Sequence, residues 1–127
     1  MNRQERRDNK REYDSQSIHD FAIKWLDEFK TNERFYTIFD DVKLADDCIS
    51  LGFEMDCGNS FKDKYGDAVY SNIELNKVID DVDDIALLGS AIFSRWRYFN
   101  HWSYGHAEQK DREWFIIALS RLESLTK

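Results

Sequence analysis

One stretch limits what this chain can fold into more than any other: Asp84-Ile-Ala-Leu-Leu-Gly-Ser-Ala-Ile-Phe-Ser-Arg-Trp-Arg-Tyr-Phe-Asn-His-Trp102. At about 100° per residue, Ile85, Leu88, Gly89, Ile92, Trp96 and Phe99 fall within a stripe of about 100°, the width of a core-facing helix face. Gly89 is the one small residue in that stripe. It costs about 1 kcal/mol of helix propensity relative to Ala, so close approach by another helix is expected there. Ser90, Ser94, Arg97 and His101 line the opposite side. A stripe of hydroxyls, a guanidinium and an imidazole is where a site is looked for first.

The rest of the chain suits a helical domain built on that segment. It has no proline and only 5 glycines in 127 residues, which favours helices joined by short turns over a turn-rich sandwich. Four Trp, 6 Tyr and 9 Phe provide a bulky core. No apolar run is long enough for a transmembrane helix, and the charged N-terminus has no apolar segment behind it. Cys48 and Cys57 are read as reduced thiols, and the expected location is cytoplasmic.

Residues 1–14 carry mixed charge and read as a flexible N-terminal arm, followed by one all-α domain over 15–127. Ser15 and Ser17 are candidate caps for a helix from Ile18 to about Lys30, with Ile18, Phe21, Ala22, Trp25, Leu26 and Phe29 inward. Residues 32–41 read as a short helix. Val42 to Leu51 reads as another, with Val42, Ala45, Cys48 and Ile49 inward. A helical turn over Phe61–Tyr65 and a helix from Ile73 to about Ile79, capped by Asn72, follow. Aspartates 80–84 break that helix and cap the central one, where negative charge favours the N-terminal dipole. Asp111 opens the last helix, which runs to about Leu125. Arg121 falls in its apolar arc, and an ion pair with an aspartate is expected for it. The expectation is five or six helices around a central amphipathic helix at about 84–100.

Charge is spread unevenly. Between Asp40 and Asp84 there are 13 Asp/Glu and 4 Lys, a balance of −9. The whole chain carries −7, so the remainder is slightly positive, at +2. An acidic middle argues against direct nucleic-acid binding and favours a basic protein partner. Its candidate contact residues are Asp46, Asp47, Glu54, Asp56, Asp80, Asp81 and Asp83. No metal or cofactor is expected. Cys48 and Cys57 lack the paired spacing of zinc sites, and residues 80–84 lack the ligand order, glycine and closing glutamate of a calcium loop.

Arg95-Trp-Arg-Tyr-Phe-Asn-His101 is similar to the Arg-x4-6-His signature of HEPN ribonucleases, which are all-α. That likeness implies His101 as general acid or base, with Arg95 or Arg97 stabilising phosphate charge. The polar residue that often follows the arginine is replaced by Trp96, which weakens the match. A third reading is a small-ligand pocket under Trp96 and Trp102.

Three blocks carry a wider resemblance: Asp46-Asp-Cys-Ile-Ser-Leu-Gly-Phe-Glu-Met-Asp-Cys-Gly58, Leu88 to Trp102, and Arg112-Glu-Trp-Phe-Ile-Ile-Ala-Leu-Ser-Arg-Leu122. Together, across roughly Ile18 to the C-terminus, the chain resembles a family of small proteins carried on prophages and conjugative elements of Gram-positive bacteria. The resemblance brings no activity and no site residues. It implies a setting in which small acidic proteins act by binding a host or element protein. The resulting expectation is a non-enzymatic binding protein or inhibitor of a basic, nucleic-acid-handling partner, with the ribonuclease and the ligand-binding domain as alternatives.

Overall fold

A computed structural model of the protein describes residues 14–53, 58–103 and 106–127. The expected flexible arm therefore lies outside the described residues, apart from Asp14. Six α-helices are present among them, and no strand: α1 (Ser15–Thr31), α2 (Lys43–Ser50), α3 (Asn59–Tyr65), α4 (Asn72–Val78), α5 (Ile85–Tyr98) and α6 (Gln109–Leu125). Short 3-10 turns at Phe35–Phe39, Gly66–Val69 and Ile79–Asp81 link them, and α5 widens into a π-helical stretch at Phe99–Ser103. No described helix is long and apolar enough to cross a membrane.

The all-α expectation holds, and the helices form a single domain around one apolar core. The long helices α1 and α6 pack along each other, and α5 lies against α2, α3 and α6. α1 buries the six residues that its periodicity points inward: Ile18, Phe21, Ala22, Trp25, Leu26 and Phe29. The rings of Phe29 and Phe115 stack at 4.6 Å with only 4° between their planes, joining the two long helices. Phe39, from the first 3-10 turn, packs against both rings and against Phe99 at 4.9 Å. Each ring pair of this kind adds about 0.5–1.5 kcal/mol beyond area burial. The buried indoles keep their polar ends satisfied: Trp96 Nε1 donates to the Ile38 carbonyl at 3.2 Å, and Trp114 Nε1 to that of Ala68 at 2.8 Å.

Helix starts differ from the sequence expectations by up to three residues, for local reasons. Asp14, not a serine, caps α1, accepting from the backbone N–H groups of Gln16 and Ser17 and from the Ser17 hydroxyl. A carboxylate offers two acceptor oxygens where a hydroxyl offers one. Ser71 rather than Asn72 caps α4, accepting from the Glu74 N–H at 3.2 Å. Asp84 caps α5 as expected, accepting from the Leu87 N–H. α6 starts before Asp111: Glu108 is its cap, and Asp111 is the third helical residue of a reciprocal capping box.

Three packing expectations are corrected. α2 buries Leu44, Ala45 and Cys48, while Val42 and Ile49 are about half exposed. Val42 sits at the cap, before the helical phase begins, and so does not follow the wheel. Gly89 does permit a close approach, but by the Phe53 ring in the connection after α2, not by a helix; a methyl at Gly89 would overlap that ring. Arg121 is paired with backbone instead of a carboxylate, donating to the carbonyls of Val82 (2.8 Å) and Asp80 (3.1 Å). Those carbonyls close a 3-10 turn, and a cation there satisfies acceptors that the helix leaves open.

Candidate functional site

The sequence places Arg95 about 20° beyond Leu88 on the wheel of α5, at the edge of the apolar stripe. The fold puts it inside: Arg95 is only 6% exposed. Its guanidinium lies among four aromatic rings, with Phe99 at 4.8 Å, Tyr98 at 5.1 Å, Tyr70 at 5.8 Å and Trp114 at 5.9 Å from their centroids. Ring faces attract a cation through their quadrupole, more strongly when water is excluded.

Among the described residues its ion-pair partner is Asp111, with Arg95 Nη2 at 3.6 Å from Asp111 Oδ1 and both side chains about nine-tenths buried. Asp111 is already committed to the capping box, where its Oδ2 accepts from the Glu108 N–H at 2.8 Å. At 3.6 Å the pair is electrostatic, beyond the 2.7–3.2 Å of an ordinary N–H···O bond. Arg95 Nε has no hydrogen-bond partner among the described residues. Burial pushes the arginine below its ordinary pKa, with Asp111, then Tyr98 and Tyr70, acting in the opposite sense. Arginine titrates so far above neutrality that the group stays a cation.

Beside this guanidinium is a cavity of about 400 Å³. Arg95, Phe99 and Asp111 contribute its buried part. Tyr70, Tyr98, His106, Glu108 and Lys110 are exposed and form its mouth. Lys110 and Glu108 face each other there at 3.6 Å. The cavity is of the size that takes small molecules, and three aromatic rings share its lining with five charged or imidazole side chains.

The residues expected from sequence are distributed differently. Arg95 is internal, while Arg97 and His101 are exposed, so the three ribonuclease candidates are divided between interior and surface. The hydroxyl end of the polar stripe is also partly internal. Ser90 is buried and its Oγ accepts from the Gly58 N–H at 2.7 Å, and a Cβ at Gly58 would lie 2.9 Å from that of Ser94. Gly58 has φ +79°, a conformation that glycine adopts readily, so the chain turns tightly against α5 there. That part of the stripe is a packing contact, and only Arg97 and His101 continue it to the solvent. Trp96 is buried and bonded to Ile38, and the side chain of Trp102 lies outside the described ones.

Of the acidic candidates, Asp46 is exposed on α2. Asp47 is partly covered and accepts from Lys24 Nζ at 2.9 Å and Trp25 Nε1 at 2.8 Å. Asp80, Asp81 and Asp83 are exposed on the turn before α5, which Arg121 holds to α6. Glu54, Asp56 and Cys57 lie outside the described residues, and Cys48 is in the core. Sequence reasoning missed Tyr70, His106, Glu108, Lys110 and Asp111 as neighbours of Arg95. The wheel position of Arg95 was the one available signal, since its neighbours come from three separate parts of the chain. No family model, curated protein or solved structure is matched by this chain.

Proposed function

We propose that the protein is a small, acidic, non-enzymatic binding protein that engages or inhibits a basic protein partner of the nucleic-acid-handling kind, in a mobile-element setting. One observation carries the reading. Among the described residues, the carboxylates between Asp40 and Asp84 are mostly exposed and enter only two ion pairs, Lys24–Asp47 and Lys77–Glu74. The described part of this acidic segment therefore turns its charge largely to solvent instead of neutralising it within the fold. Such a surface steers a basic protein and raises its association rate more than it adds contact energy.

The test is recovery of the tagged protein with its bound partner from its native cell, followed by kinetics with the purified pair. Association should slow as salt rises, with a smaller effect on dissociation. Asp80→Asn with Asp81→Asn should reproduce part of that loss at low salt without changing the melting temperature. Arg121 would keep its contacts, which are to main-chain carbonyls at Asp80 and Val82. A partner bound equally well in high salt, or unaffected by the double substitution, would refute the steering role. The small-ligand reading is favoured by a separate observation, the cavity at Arg95.

A further inference from the structure

We propose that the cavity between the end of α5 and the start of α6 binds a small planar organic anion, whose carboxylate head meets Arg95 and whose flat body lies against Tyr70, Tyr98 and Phe99. A guanidinium has five N–H donors. The Arg95 side chain is almost completely withdrawn from water, yet its Nε has no hydrogen-bond partner, and among the described residues its Nη2 makes only the 3.6 Å approach to Asp111. Buried donors are nearly always satisfied, and leaving one unmade costs more than a typical bond contributes.

Asp111 cannot close on it fully, because the capping box holds the other oxygen of its carboxylate. The surrounding rings attract the cation but accept no strong hydrogen bond, so donor capacity remains beside an open cavity. An oxyanion is the ligand group that matches a guanidinium in charge and geometry. Lys110 adds a second positive charge at the mouth. The Glu108 carboxylate is engaged by the Asp111 N–H of the capping box and by Lys110, which limits its repulsion of an anion. The aromatic wall gives a flat ligand an advantage over a bare inorganic ion. This site is independent of the acidic surface, and either can fail without the other.

The test uses the full chain with benzoate as the probe, inorganic phosphate as the bare oxyanion and benzylamine as the flat cation. Binding is read by calorimetry and by the NMR resonance of the Arg95 Nε–H, which reports its guanidinium directly. Benzoate should bind saturably, move that resonance and raise the melting temperature. Phosphate should bind more weakly, and benzylamine should have no effect on the resonance.

Lys110→Met, at an exposed position, should weaken benzoate by about two- to fivefold. Tyr98→Ala should weaken benzoate more than phosphate. Arg95→Met should abolish binding; if that variant does not fold, the resonance shift in the parent protein and the two mouth variants still decide the matter. An Arg95 Nε–H that exchanges with water and does not respond to benzoate would mean that water alone fills the cavity. That result would overturn the proposal. So would benzylamine binding as well as benzoate, or phosphate matching it.

Discussion

Replacing Gly89 by alanine sets two opposed effects against each other. On an exposed helix the change stabilises by about 1 kcal/mol through propensity. Here a Cβ would stand 2.5 Å from both Cγ and Cε1 of Phe53, whereas carbons rest at about 3.5–4.0 Å. The ring would have to retreat by about 1 Å, yet Phe53 is 1% exposed and already edge-on to Phe21 at 5.7 Å. Overpacking of this kind costs about 1–3 kcal/mol. After the propensity gain, Gly89→Ala should therefore destabilise by roughly 1–2 kcal/mol.

Urea unfolding followed by tryptophan fluorescence and by circular dichroism measures the change as a lower midpoint with an unaltered slope. Phe53→Leu, costly alone, should make the alanine tolerable. The double variant should then be more stable than the sum of the single effects by about 1 kcal/mol. A midpoint that rises in Gly89→Ala, or strict additivity in the double variant, would refute the contact between ring and backbone.

Ile92 is fully buried in the centre of α5, so Ile92→Asp should lose several kcal/mol and leave little folded protein at room temperature; native-like melting of that variant would show the helix face to be wrong. Ser90→Ala strips the buried Gly58 N–H of its acceptor and should cost about 1–3 kcal/mol in the same unfolding assay, whereas Ser94→Ala should cost less. Asp14 is held below the usual carboxylate pKa by the Ser17 hydroxyl first and then by backbone N–H groups. Its folded-state pKa is thus the lower one, so its stabilisation is present above the ordinary aspartate range and is lost as pH falls through the depressed value. The stability gap between parent and Asp14→Ala should accordingly shrink in acid, and a gap that persists there would exclude a charged cap.

Much of this architecture was legible in the order of residues, because helix periodicity is a local property. The inward faces of α1 and α5 follow from spacing alone: Phe21, Trp25 and Phe29 in one, and Leu88, Ile92 and Trp96 in the other. The capping role of Asp84 and the absence of proline were equally local signals, and together they imply an all-α chain. Short helices were less legible. Around α2 the exposed Ile49 stands one residue from the buried Cys48 and the exposed cap Val42 two from the buried Leu44, and no long stripe averages the error away.

The candidate site belonged to the tertiary structure. Arg95 stood at the edge of the apolar stripe of α5, and only the packing of Tyr70 and of α6 against it made it a buried cation facing Asp111 and four rings. Arg121 likewise had a predictable need for partners, but their identity as the Val82 and Asp80 carbonyls depended on how the turn before α5 meets α6. Periodicity reports which side of a helix avoids water. It does not report which distant side chain will stand on the other side of the contact, because that is set by the packing of whole elements, and the charge and hydrogen-bond environment of Arg95 is created at that contact.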